Sequence, residues 1–148
     1  MADFAPQPAD KWGRRLFTAG GVWLLLLGAV HSLSFFNPLV PGNETERQLL
    51  ALMTGYKFNL MGSMRSMDNL LTGFSMAFML AALVLGALSL ALRRQPAPLL
   101  KRVALLFAVW LVAMVAVSLH YFFVIPLAFL VIALLLFAGS CLTLPARS

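Results

Sequence analysis

Four long apolar stretches alternate with polar boundaries along this chain, running from Leu16 to Phe36, about Asn69 to Leu92, Val103 to about Phe123, and about Val124 to Leu144. Each approaches the ~20 residues that a helix needs to cross a hydrocarbon core, so the pattern predicts four membrane spans. The last two are almost continuous in hydropathy. They divide at Val124-Ile125-Pro126, because proline fits the first turn of a helix and disfavours helix in the residue before it, and a tight helical hairpin is expected there. The fold class expected is all-α: an integral membrane antiparallel four-helix bundle with an extra amphipathic helix between helices 1 and 2. The domain is expected over residues 16–144, with an amino-terminal tail at 1–15 and a carboxy-terminal tail at 145–148. Met1 to Asp10, with Pro6 and Pro8, and Ala146 to Ser148 are expected to be flexible.

The polar segment Asn37 to Asp68 is too long for a simple turn and too polar for a span. It opens on Asn37-Pro38-Leu39-Val40-Pro41-Gly42-Asn43, a run of turn formers. A helix is expected soon after, with Thr45 as its cap and Glu44 and Glu46 where the helix dipole favours negative charge. Leu49, Leu50, Leu52, Met53, Tyr56, Leu60 and Met61 then suit an amphipathic helix in the membrane interface. A second set, Gly55, Asn59, Gly62 or Ser63, Ser66, Asn69 and Gly73, recurs every three or four residues and predicts one helical face. It continues as Gly73, Ala77 and Ala81, a small-residue series of the kind that packs membrane helices together.

Composition agrees with a membrane setting: 61% of the 148 residues are hydrophobic and 11% charged, against roughly 45–50% and 25% in soluble domains. Charge sets the orientation. Lys11, Arg14 and Arg15 precede helix 1, Arg93, Arg94, Lys101 and Arg102 fill the loop between helices 2 and 3, and Arg147 follows helix 4, so eight of eleven basic residues share one face. The other face has Arg47, Lys57 and Arg65 balanced by Glu44, Glu46 and Asp68. The positive-inside rule then places both termini in the cytoplasm. Trp12, Tyr56 and Tyr121 fall at interfacial depths, as an aromatic belt requires.

The formal charge of +6 marks membrane boundaries rather than a basic stripe, which argues against a nucleic-acid partner. Arg14-Arg15 also resembles the charged region of a signal peptide, but the apolar stretch is too long and no small-x-small cleavage site follows, so helix 1 is expected to be retained. Cys141 is the single cysteine, which excludes an intrachain disulfide and a cysteine-based metal cluster, and fits a small packing residue.

Chemistry is concentrated in few residues. His31 in helix 1 and His120 in helix 3 are both expected toward the outer leaflet, and Tyr56, Arg65, Asp68 and Tyr121 lie in the same zone. Converging histidines there would permit acid and base work on an amphipathic substrate. The alternative for each is a neutral histidine used in packing. Arg65 and Asp68 are three apart on a presumed helix and are read more simply as an intrahelical ion pair. Haem is a second option, since paired histidines at equal depth in a bundle can serve as axial ligands, although no C-x-x-C-H occurs. Copper is a third, prompted by Met61, Met64 and Met67, whose thioethers suit Cu(I); the same spacing is that of a helix core filled by methionine. No cofactor at all is the leading expectation. The motifs G-x-x-x-x-G-K-[ST], H-E-x-x-H and G-x-S-x-G are missing, and helices 1, 3 and 4 carry no carboxylate, which disfavours a pump, protease or ion-coupled transporter.

At Gly28-Ala29-Val30-His31, Met61-Gly62-Ser63-Met64-Arg65-Ser66 and Gly73-Phe74-Ser75 the chain resembles a group of uncharacterised bacterial four-helix integral membrane proteins. In that group a histidine closes helix 1, and Arg-Ser followed by Gly-Phe-Ser opens helix 2. The resemblance implies a four-helix fold and an inner-membrane location and brings no activity. The function expected is that of a binding or accessory subunit, using small-residue helix faces to form a homo-oligomer or join a larger membrane complex. The alternative is a membrane enzyme, or a binder of a lipid or quinone-like ligand, with a pocket of His31, Tyr56, Arg65, Asp68, His120 and Tyr121.

Overall fold

The structure, a computed structural model, describes residues 8–37 and 39–146. Its elements in chain order are α1 (Pro8–Ser32), a 3-10 turn (Leu33–Phe36), α2 (Glu44–Gly55), strands β1 (Lys57–Leu60) and β2 (Ser63–Ser66), then α3 (Met67–Leu92), α4 (Ala97–Tyr121) and α5 (Val124–Thr143). Among the described residues four helical stretches are long and apolar enough to cross a membrane. They are Asp10–Phe36, Met67–Leu92, Ala97–Tyr121 and Val124–Thr143, with mean hydropathies of 1.7, 2.3, 2.4 and 2.6.

Helix begins earlier than hydropathy alone suggests. α1 starts at Pro8, so the expected tail is helical from that residue onward, while Met1–Gln7, Pro38, Arg147 and Ser148, which figured in the expected tails, turn and basic face, lie outside the described residues. α4 starts at Ala97 rather than Val103, because Pro98 in its first turn is preset for helix, and Lys101 and Arg102 are therefore helical. α4 ends at Tyr121 and α5 opens at Val124, with Pro126 inside its first turn.

The described chain divides into two units, one formed by residues through Leu27 with those from Ala82 on, the other by Gly28–Ala81. In the first, the buried positions of α5 are Leu130, Ala133, Phe137 and Ser140, and those of α4 are Ala97, Leu100, Ala104, Phe107 and Leu111, with Ser118 two turns further on. These steps of three and four are the spacing by which helices interdigitate at small crossing angles. Phe137 is the centre of this core, packed edge-on against Phe17 at 5.6 Å and Phe107 at 5.0 Å.

Glycine allows α1 to come this close. A methyl group built on Gly20 would sit 2.8 Å from the Phe137 ring, and one on Gly13 would sit 2.6 Å from Leu144. The approach of α1 to α3 is tighter, since a methyl on Gly86 would meet the carbonyl oxygen of Gly21 at 2.8 Å and the amide of Leu25 at 2.9 Å. Lipid is as apolar as a leucine side chain, so such packing and buried hydrogen bonds must hold these helices together. Ser140 supplies one of the latter, its hydroxyl donating to the Gly13 carbonyl at 2.9 Å.

The Gly28–Ala81 unit corrects the expected helix. Asn43, not Thr45, caps α2: its side-chain oxygen accepts from the Glu46 amide at 2.9 Å, and the Glu46 carboxylate accepts from Asn43 Nδ2 at 2.9 Å and the Gly42 amide. α2 stops at Gly55 instead of running to Met61. A two-stranded antiparallel hairpin follows, in the register Lys57 to Ser66, Phe58 to Arg65, Asn59 to Met64 and Leu60 to Ser63. Its two-residue loop has Met61 at φ 50° and Gly62 at φ 91°, both left-handed as a tight hairpin of this twist requires. The Gly62 amide donates to the Asn59 side chain at 2.8 Å.

The expected helical face from Gly55 to Gly73 is accordingly absent. Its Ser66 and Asn69 instead form a reciprocal cap at the start of α3: the Ser66 amide donates to Asn69 Oδ1 at 3.3 Å and the Asn69 amide to Ser66 Oγ at 3.2 Å. The series Gly73, Ala77 and Ala81 also lies off the packed seam. Nothing lies within 4 Å of where a Gly73 methyl would project. The seam on α3 is Ala82, Gly86 and Ser89.

Candidate functional site

In the Gly28–Ala81 unit, α2 presents Leu49, Leu52 and Met53 at the spacing of an apolar helix stripe, and Tyr56 follows as its C-cap. Together with Phe58 of β1 and Met67 at the head of α3 they line a cavity of about 520 Å³. Of the residues singled out in the sequence, Tyr56 and Met67 are thus brought together. Tyr56 gives the only hydroxyl among those lining groups.

Arg65 is turned elsewhere. It sits on β2 opposite Phe58, and its guanidinium Nη1 donates to the Met64 carbonyl at 2.9 Å. The expected ion pair with Asp68 is not formed; the ion pairs among the described residues are Arg14 with Asp10 and Arg47 with Glu44. The reason is backbone geometry, since three residues of separation align side chains on a helix and Arg65 is on a strand. Asp68 lies in the first turn of α3, where the helix dipole favours a carboxylate.

The methionine triplet loses its helical basis in the same way. Met61 is fully exposed at the hairpin tip, Met64 is on β2, and Met67 opens α3. Among the described residues no three His, Cys, Asp or Glu side chains gather where they would hold a metal ion.

His31 lies in the second unit and His120 in the first, each with its own surroundings. The His31 ring is edge-on to Phe78 at 5.2 Å and Phe35 at 6.0 Å, and its Nε2 is buried with no hydrogen-bond partner among the described residues. A buried polar atom without a partner carries a desolvation cost of roughly 1–3 kcal/mol. His120 is exposed, its ring 6.3 Å from that of Tyr121, which is also exposed. Ala113 and Ala116, two turns and one turn before His120 on α4, are exposed as well.

The basic residues do more than mark a boundary. Arg14 donates from Nη1 to the Gln95 carbonyl at 2.8 Å and the Arg93 carbonyl at 3.4 Å, which ties α1 to the loop before α4. Lys101 donates to the Leu144 carbonyl at 2.9 Å and so caps the end of α5. Beside Arg14 a groove of about 600 Å³ runs along α1. Sequence reasoning passed over it, although Thr18, Ala19 and Val22 repeat a small side chain one turn apart directly after two arginines.

These features define a class, the four-span helical membrane protein. No family model matches the chain, and no curated protein or solved structure is significantly similar to it.

Proposed function

We propose that the protein is a binding or accessory subunit of the inner membrane, an antiparallel four-helix bundle with both termini in the cytoplasm. Its four-helix form and location are also what the resemblance to bacterial four-helix membrane proteins implies. The antiparallel reading is supported by contacts that climb α1 from Gly13 through Gly20 to Trp23 while descending α5 from Leu144 through Phe137 to Phe129. One observation carries the accessory role: Gly73 and Ala77 form a small-residue face on α3 that is exposed, whereas Gly21 and Gly86 are consumed within the chain. Small residues exposed in a span are an economical seat for another helix. The partner is a second copy or a helix of a larger complex. Crosslinking of a Gly73→Cys chain in membranes, with Cys141 replaced by serine, tests this. Crosslinked product that Ala77→Leu abolishes is expected, and a monomer indifferent to Ala77→Leu contradicts it.

A second reading, a binder of a lipid or quinone-like ligand at the outer surface, is favoured by the cavity that Tyr56 and Met67 line and by the unpartnered Nε2 of His31. Binding of a ubiquinone analogue that Tyr56→Phe weakens would support it over the first.

A further inference from the structure

We propose that the groove on α1 is a binding site for one anionic phospholipid, its phosphate at Arg15 and an acyl chain along Thr18, Ala19 and Val22. The mouth of the groove has two guanidinium groups. Arg14 is committed to the Gln95 carbonyl and to Asp10, at 2.8 and 3.3 Å. Arg15 makes no hydrogen bond to the described residues. Its guanidinium lies 5.7 Å over the Trp12 ring, which holds the charge at the boundary where a headgroup phosphate sits. A guanidinium offers paired donors in the geometry that phosphate accepts.

Beyond the mouth the walls become apolar. The Thr18 hydroxyl donates to the Arg14 carbonyl at 2.8 Å, so it presents no free donor to the groove. Ala19 and Val22 are exposed, and their small side chains leave a trough one helix face wide. Trp23 and Leu136 bound it. The Trp23 ring is fixed, since its indole N–H donates to the Phe129 carbonyl at 2.9 Å and the ring stacks on Phe129 at 5.0 Å. A trough charged at one end and apolar along about 10 Å of a membrane span has the shape of a phospholipid's phosphate and upper acyl chain. Charge complementarity selects an anionic headgroup over a zwitterionic one.

The inference rests on the reading of α1 as a membrane span and is independent of which end faces the cytoplasm. Trp23 provides the test. The full chain with Trp12→Phe and Trp110→Phe, reconstituted in phosphatidylcholine vesicles, is titrated with a minor fraction of brominated phosphatidylglycerol or brominated phosphatidylcholine in both leaflets. Trp23 fluorescence should respond as though brominated phosphatidylglycerol were enriched about fivefold at the ring. Arg15→Gln should bring the two lipids to parity, Ala19→Phe should fill the trough and do the same, and Arg94→Gln should leave the preference intact. Equal quenching by both lipids in the parent chain overturns the inference, as does a preference that survives Arg15→Gln. Quenching by neither lipid means instead that α1 is not in the bilayer, and the spanning reading fails.

Discussion

Among the described residues all thirteen buried apolar ones, from Phe17 to Leu144, belong to the unit formed by residues through Leu27 and from Ala82 on. In the Gly28–Ala81 unit the buried residues among those described are Gly28 and Ser66. The first unit is held by glycine-mediated approach, the Phe17 and Phe107 rings packed on Phe137, and hydrogen bonds between distant residues. The second is held by local devices: the Asn43 cap, the hairpin and the Ser66–Asn69 cap. The contrast follows from the solvent. Where lipid surrounds the helices, only tight packing and satisfied polar groups favour association. A short helix and hairpin closed by their own hydrogen bonds need no such core. The second unit, with few buried residues, should open and adapt at lower cost than the first.

Mutations at matched positions can break this contrast. The largest effect is expected from Phe137→Ala, which removes the ring shared by α1, α4 and α5 and should cost about 3 kcal/mol in detergent-denaturation measurements on the reconstituted protein. Gly86→Leu comes next, at about 2 kcal/mol, because the groups it strikes are backbone atoms of α1 that cannot turn aside. Asn43→Ala should cost about 1 kcal/mol, confined to α2. Hydrogen exchange should accelerate over Glu44–Gly55 and stay unchanged in α4 and α5. Ser140→Ala should lower global stability by about 0.6 kcal/mol, the typical worth of a hydrogen bond between membrane helices. Gly73→Leu should leave the stability of the monomer unchanged, since the new side chain meets open space. A Gly73→Leu chain as destabilised as Gly86→Leu would erase the distinction between the two faces of α3.

The spans were legible because hydropathy and a single proline suffice to set them. The chain breaks at Phe122-Phe123, and Pro126 takes its place in the first turn of the helix that follows, while α3 closes at Leu92 just ahead of two arginines. The hairpin was missed for an instructive reason. Gly55, Asn59, Gly62, Ser66 and Asn69 match a helical period, yet Lys57-Phe58-Asn59-Leu60 alternates polar and apolar, and Met61-Gly62 ends in the residue that a tight hairpin turn favours. Alternation over four residues was outweighed by a longer, looser spacing. The error carried into the site, since the Arg65–Asp68 pair and the methionine stripe both presupposed helix there. The hydrogen bonds of Arg14 and Lys101 were not legible, because their partners are backbone carbonyls far along the chain.

Most rests on the proposed topology, four spans with the hairpin outside and the loop between α3 and α4 in the cytoplasm. Single cysteines at Met61→Cys, on the fully exposed hairpin tip, and at Arg94→Cys, each with Cys141→Ser, read this directly in intact cells. An impermeant maleimide should label position 61 from outside and position 94 only after the membrane is opened. Labelling of position 94 in intact cells, or protection of both positions until the membrane is opened, would contradict the account.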